Sequence, residues 1–201
     1  MNKDNYIKFI SEEIEKRIAL KNVILESTDL VSQINQSAQL CIDALKNGKK
    51  ILLAGNGGSA ADSQHIAGEL VNRFNFDRPG LPAIALTTDS SVLTSIANDY
   101  EFESIFSRQI ESIGVSGDIF FAISTSGNSK NILKAAITAK KINIPIISLT
   151  GIGGGELSKY SDILMEVPSD MTPDIQEIHI MIAHLICTII ELEIFGEYKN
   201  K

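Results

Sequence analysis

His65 and Glu69 stand four residues apart in "SQHIAGEL", a spacing that puts both on one face of a helix. An imidazole and a carboxylate are side chains that move protons in general acid–base catalysis. The pair is also half of a possible metal site, although i, i+4 His/Glu pairs are common by chance. The chain holds only two other histidines, His179 and His184, both in "IQEIHIMIAHLI". Gln176 precedes His184 by eight residues, ~80° around an axis with ~3.6 residues per turn, so the two can share a broad face. Polar groups in so apolar a helix need partners. Gln176, His179 and His184 are therefore either satisfied core groups or members of a site. A carboxylate and an imidazole bracketing a sugar can shuttle a proton between adjacent carbons, the machinery of aldose–ketose isomerisation through a cis-enediol. The sequence offers no redox motif, nucleophile elbow or Schiff-base signature.

Two glycine-containing loops offer anion cradles. The first, "AGNGGSAAD", runs from an apolar strand into a helix through Gly55-Asn56-Gly57-Gly58-Ser59. It is neither the dinucleotide G-x-G-x-x-G fingerprint nor a Walker loop, since no Gly-Lys-Ser/Thr follows. Its bland reading is a tight turn with Ser59 capping the helix. The second, "ISTSGNSKN", sets Ser124, Thr125, Ser126 and Ser129 around Gly127 at a helix start, where free N–H groups and the helix dipole favour an anion. Clustered hydroxyls at a helix start suit a phosphate monoester on a small metabolite. Glu69 lies ten residues beyond Ser59, ~15 Å up the helix at ~1.5 Å per residue. A phosphate on the first loop would leave a short sugar unable to reach Glu69 of the same helix. Either the phosphate sits on the serine loop or the reacting carboxylate comes from another subunit, and both are expected here.

Positioning these residues needs a particular order of elements. Residues 5–47 carry apolar side chains at helical spacing (Ile7, Phe9, Ile10, Ile14 and Ile18, then Leu30, Val31, Ile34, Leu40, Ile42 and Leu45), with an N-cap at "STD" 27–29, which predicts a helical hairpin. Short apolar runs follow at 50–55, 82–87, 118–124, 144–150 and 162–167. Helical stretches separate them at 59–73, 90–98 with 102–113, 129–142 and 155–160, and a last helix covers 173–195. Continuous apolar strands between helices indicate a parallel sheet covered on both faces. The expectation is one doubly wound α/β domain over 1–201, with its α/β core at 50–195.

Composition sets the outer limits. The chain has 201 residues, 44% of them hydrophobic and 21% charged, as in ordinary globular proteins. A net charge of −7 argues against a nucleic-acid surface. The mixed N-terminal stretch is no signal peptide, and the apolar C-terminal stretch is too punctuated by His179, His184, Glu191 and Glu193 for a lipid span. Cys41 and Cys187 fall inside apolar helical patterns and are expected as core residues in a reducing cytoplasm.

"AGNGGSAADSQHIAGEL", "IANDYEFESIFSRQI", "ISTSGNSKNILKA", "LTGIGGG" and "IQEIHIMIAHLI" together resemble the bacterial phosphoheptose isomerases of the sugar isomerase (SIS) domain superfamily. The five blocks match in order over about residues 5–196. The resemblance implies a flavodoxin-like five-stranded parallel sheet with an N-terminal helical pair. It implies interconversion of sedoheptulose 7-phosphate and D-glycero-D-manno-heptose 7-phosphate, the first step of heptose supply for lipopolysaccharide or capsule. By the same resemblance Asn56, Gly57, Gly58, Asn98 and Asp99 line the sugar, and Ser124, Thr125, Ser126 and Ser129 hold the phosphate. Glu69 and His184 look like the acid–base pair, and Gln176 a substrate contact. His65, Glu69, Gln176 and His184 match positions that can bind one zinc per site, a chemically plausible donor set. Family members are homotetramers with sites at subunit interfaces. The family commonly has a small residue and Arg before "IQE". Here Pro173-Asp174 stands instead, which removes a positive charge.

Two other readings belong to the same superfamily. One is a catalytically silent SIS-fold protein that binds a replication initiator. It lacks counterparts of Glu69 and His184 and has an altered serine loop, whereas all three features are present here. The other is an isomerase or lyase of a different sugar phosphate.

Overall fold

A single residue, Ser27, divides the two N-terminal helices. It lies between α1 (Lys3–Glu26) and α2 (Thr28–Lys46), and its hydroxyl accepts from the Leu30 N–H at 3.3 Å, capping α2 as "STD" predicts. These elements come from a computed structural model that describes residues 3–197. The remaining ends of the expected domain over 1–201, including the last residues of the C-terminal tail, lie outside the described residues.

Strand and helix then alternate: β1 (Ile51–Ala54), α3 (Gly58–Val71), β2 (Ala83–Ala85), α4 (Ser90–Asp99), α5 (Ser107–Ile113), β3 (Ile119–Ile123), α6 (Lys130–Lys141), β4 (Ile146–Thr150), β5 (Ile163–Glu166) and α7 (Thr172–Phe195). Phe102–Ser104 and Gly155–Lys159 are 3-10 turns, so the stretch expected as one helix over 102–113 is broken in two. The strands are shorter than their apolar runs because the flanking residues already turn into loops.

All five strands are parallel in the order β2-β1-β3-β4-β5. This is the flavodoxin-like order, in which the chain reverses its direction of winding between β1 and β3 and leaves a crevice beyond their C-terminal ends. The pleat divides the core. Ile51, Leu53, Ile119, Phe121, Ile123, Ile147 and Leu149 face α2, α3 and α7, while Leu52, Ala54, Phe120, Ala122 and Ile146 face α5 and α6. Both faces are buried, which is why the strands read as continuous apolar runs.

By length and composition α7 could cross a membrane, with a mean hydropathy of 1.9. In this fold it is a core helix. Ile175, Ile178, Ile182, Ile186 and Ile190 recur every three or four residues and are buried in the α2–α3–α7 layer. Cys41 and Cys187 are buried free thiols in the same layer, and burial pushes Cys187 up to about 12. The first helix behaves differently. Its apolar stripe does not enter the core, and Tyr6, Ile7, Ile10, Ile14 and Ile18 are each more than half exposed. Helix α1 is held at its C-terminal half, where Ile24 is buried and Arg17 and Lys21 reach Glu177 of α7 at 3.1 and 2.7 Å.

Ser27→Ala removes the α2 cap without disturbing a packed group. It is expected to cost about 1 kcal/mol, read as a lower urea midpoint with an unchanged transition slope.

Candidate active site

The two loops that could hold an anion leave neighbouring strands. Ala54 of β1 pairs with Ala122 of β3, so the chain emerges into both loops side by side at the crevice. They are also tied together. Asn56 and Asn131 exchange a reciprocal pair of amide hydrogen bonds, 2.9 and 2.8 Å, and the buried Asn131 Oδ1 also accepts from the Ile132 N–H. The side chain expected to line the sugar is thus turned to its neighbouring loop. Asn131 carried no signal in the sequence, because its role depends on a residue 75 positions away.

The first loop differs from its bland reading in one respect. Gly57, with φ +55°, is the N-cap of α3, and Ser59 lies inside the first turn with its carbonyl accepting from Ser63 Oγ at 2.8 Å. A left-handed φ at the cap requires glycine, which a serine cap would not satisfy. Gly58 lies beneath a side chain of α7. A Cβ there would meet the amide of Gln176, with Cδ at 2.8 Å, so Gln176 lies over the first turn of α3.

The second loop is clamped from beneath. Gly127 (φ +63°) donates to the Ser124 carbonyl at 3.0 Å and accepts from the Leu157 N–H at 2.9 Å; a Cβ on it would run into the Gly154 carbonyl. Asn128 accepts from the Glu156 N–H at 2.9 Å and donates to the Ser126 carbonyl at 2.9 Å. Ser124 Oγ donates to Ser129 Oγ at 3.1 Å, and Ser126 Oγ accepts from the Asn128 N–H. Thr125 and Ser126 also border a cleft of about 180 Å³, closed on its other side by Ser169, Asp170 and Thr172 at the start of α7. Those three residues were not singled out in the sequence, although "PSDMTP" has the polar turn composition of a strand-to-helix loop.

His65, Glu69 and His184 come together elsewhere. His65 Nε2 lies 3.2 Å from Glu69 Oε1 and 3.0 Å from His184 Nε2, and the Phe74 ring stacks on His184 with centroids 5.2 Å apart. Each neutral imidazole carries one N–H, so a single proton serves two short contacts at His65 Nε2. Two nitrogen lone pairs and a carboxylate are donor types that suit a borderline cation such as zinc. Both Glu69 and His184 approach His65, however, and no three His, Cys, Asp or Glu side chains among the described residues form a ready-made metal cluster. Gln176 stands apart, over Gly58, and Gly58 is seven residues from His65, ~10 Å along α3. Asp62, one turn before His65, has a buried carboxylate oxygen without a partner; burial raises its carboxyl above the usual range, with the nearby His65 opposing.

Two expected site residues lie in the other helical layer. Asn98 and Asp99 end α4 and bond each other at 2.9 Å on the exposed surface. His179 is a core group: its Nε2–H donates to the Thr150 carbonyl at 3.1 Å, and its ring is fully buried. At Pro173-Asp174 the sequence carries no positive charge, and the nearby Arg17 is shared among Glu13, Asp174 and Glu177. Pro173 sits in the first turn of α7, where a missing N–H costs nothing, and Asp174 pairs with Arg17 of α1 at 3.3 Å. A guanidinium is present at this helix end, supplied by another element.

Comparison with known proteins decides the family. The SIS domain model matches residues 17–151. The chain is 54% identical over 193 residues to a phosphoheptose isomerase of Sulfurimonas denitrificans, covering 96% of this chain and 99% of the relative. The chain belongs to the phosphoheptose isomerases. A second relative, phosphoheptose isomerase 2 of Campylobacter jejuni, is 52% identical over 194 residues and 96% of each chain. The solved phosphoheptose isomerase of Neisseria gonorrhoeae superposes with a TM-score of 0.87 at 39% identity, covering 92% of this chain and 98% of that one. The protein is accordingly a sugar-phosphate isomerase of the SIS fold.

Two outcomes follow from this geometry. Gly127→Ala places a methyl group against the Gly154 carbonyl and is expected to abolish binding of the phosphorylated substrate in a chain that retains its helical content by circular dichroism. Burial lowers the His179 pKa to about 4, against a hydrogen bond to Thr150 that raises it. The unfolded chain therefore binds more protons below its ordinary value near 6.5. Stability present above that value is lost as pH falls towards 4, and urea midpoints should decline across this window.

Proposed function

We propose that this enzyme interconverts sedoheptulose 7-phosphate and D-glycero-D-manno-heptose 7-phosphate, the first step of ADP- or GDP-heptose supply for lipopolysaccharide or capsule, in the cytoplasm. The observation that carries the reading is the meeting of Glu69 and His184 at His65, in a chain whose curated relatives bear the phosphoheptose isomerase name. In the open-chain ketose one member of the Glu69–His184 pair removes a C1 proton while the other protonates the C2 oxygen, giving the cis-enediol. Return of a proton to C2, with loss of the O1 proton, yields the aldose. Ser124, Thr125, Ser126 and Ser129 hold the phosphate on the clamped loop at the N-terminus of α6. Gly57 and Gly58 admit the sugar close to backbone, and Asn56, Gln176, Asn98 and Asp99 contribute polar contacts.

The active form is a homotetramer with sites between subunits. Two features support this. Glu69 lies eleven residues beyond Gly58, ~16 Å along α3, away from the loops that would hold the phosphate in the same chain. The uncovered stripe of α1 supplies apolar surface for a second copy. The acidic chain offers no nucleic-acid surface and takes a small anion instead. His65, Glu69 and His184 would hold zinc, with Gln176 supplied by a second copy because this chain's own Gln176 lies over Gly58, and the metal's charge would stabilise the oxygens of an enediolate.

The first test follows sedoheptulose 7-phosphate by NMR in deuterium oxide. Aldoheptose 7-phosphate with deuterium at C2 is expected, and absence of conversion with and without zinc would overturn the reading. Glu69→Gln and His184→Ala should each lower kcat by at least ~10²-fold. Near-full turnover in either folded variant would remove that residue from the acid–base pair. Chelator treatment followed by zinc add-back should remove and restore activity, while unchanged turnover in metal-free protein would leave zinc outside the chemistry.

A further inference from the structure

Arg78 and Glu191 form an ion pair that the proton-transfer chemistry does not use. Nε and Oε1 are 3.1 Å apart, and both side chains are only 1% exposed. A buried ion pair is weak evidence for stability, because desolvation opposes the attraction. What these two charges hold is more informative.

Glu191 Oε1 accepts from the Phe74 N–H at 2.9 Å, and Oε2 from the Asn75 N–H at 2.7 Å. Arg78 Nη1 donates to the carbonyls of Leu70, Asn72 and Pro79 at 2.7, 3.3 and 3.0 Å, and Nη2 donates to the Glu69 carbonyl at 2.7 Å. These bonds all end on residues 69–79, the last turn of α3 and the loop after it. The loop presents the Phe74 ring to His184, with an interplanar angle of 27°. Asn75 Nδ2 reaches Thr188 Oγ1 at 3.5 Å, and that hydroxyl donates to the His184 carbonyl at 2.8 Å. One buried pair thus grips the backbone of Glu69 and, through Phe74, the ring of His184.

We propose that Arg78 and Glu191 are positioning residues, whose ion pair seats the 72–79 loop so that Phe74 orients His184 while Arg78 fixes the turn carrying Glu69. The inference rests on Glu69 and His184 being the acid–base pair. Carboxylate and guanidinium suit the task because each accepts or donates several bonds at once, and a neutral substitute would leave backbone groups or a charge unpaired.

The test uses the His184 ring C–H signal by NMR, practicable in a chain with three histidines. In the intact protein the stacked Phe74 ring should shield His184 and shift its signal upfield. Phe74→Leu, which leaves the ion pair intact, should abolish that shift and lower kcat ~10-fold, as a displaced catalytic group does. KM should stay within about twofold, because substrate binding is untouched. Glu191→Gln should move the same signal in the same direction, with a kcat loss at least as large. If Glu191→Gln does not fold, Arg78→Lys keeps the charge, loses the forked donors and is read in the same way. A folded Glu191→Gln or Arg78→Lys protein with a lowered Tm but wild-type His184 signal and kcat would make the pair purely structural and overturn the proposal. If Phe74→Leu alone folds, an unchanged kcat in it does so too. Failure of the acid–base reading is separable, because the His184 signal is recorded without substrate and reports the loop contact whatever the reaction.

Discussion

The parallel pairing of β1 with β3 is the constraint on which the site loops depend. Their register is fixed by four residue pairs from Ile51–Ile119 to Ala54–Ala122, and both strands are buried on both faces. A one-residue slip would exchange every side chain between the two apolar layers, so the register is strongly specified. The next strands lie to opposite sides, β2 beyond β1 and β4 beyond β3. The connections therefore diverge, and the glycine and serine loops are left facing a common crevice. The Asn56–Asn131 amide pair then joins them, making two loops one rigid rim.

The second structural relation is that of α3 and α7. Gln176 lies against Gly58 and His184 against His65, so matching contacts occur after eight residues on one helix and seven on the other. The helices therefore run side by side in the same direction. That arrangement separates the contacts of the first turn from those of the His65–Glu69–His184 group by roughly two helical turns. A single chain consequently holds the loop rim proposed to bind the anion and the group proposed to move the proton at different heights. The proposed assembly of several copies resolves this separation, and the uncovered face of α1 is the apolar surface such an assembly needs.

Much of this was legible in the sequence, for a physical reason. Doubly buried strands are apolar throughout and amphipathic helices repeat every three to four residues, so both announce themselves locally. The five strands, the Ser27 cap and the two strand-to-helix loops are all local statements. What the sequence concealed is long-range pairing. Asn131 looks like an ordinary helix-start residue until Asn56 meets it, and Arg78 like a charged loop residue until Glu191 does. Asp174 carries no sign in the sequence of its partner, and only packing shows Arg17 reaching it from α1. The α1 stripe is a different case: its helical period is legible in the sequence, but period alone does not say whether the face enters the core, and here it does not. The Gly57 cap was hidden because Ser59 is a commoner capping type, and the positive φ that excludes serine belongs to the backbone path.

Helix starts show how an acidic chain can still prepare for an anion. Helix α2 is capped by Ser27, and α4, off the edge strand β2, by Asp89, whose carboxylate accepts from the Val92 N–H. At α3, α6 and α7 no side chain caps the helix, although α6 begins at a serine. The Ser129 hydroxyl is engaged instead by Ser124, inside the loop. An N-terminal turn leaves N–H groups without intrahelical partners, and these carry the positive end of the helix dipole. An aspartate cap there would satisfy one donor and place a negative charge where the proposed phosphate would lie. Leaving these starts uncapped forgoes local helix stability, roughly 1 kcal/mol for each cap, and part of the first turn is satisfied locally instead, by the Asn56 and Gly57 carbonyls at α3 and by Asn131 Oδ1 at α6. The net charge is −7, and Lys130 is the first residue of α6 beside the serine loop. In the proposed reading fixed backbone dipoles act with it, and the close contact of Gly127 with Gly154 holds their direction.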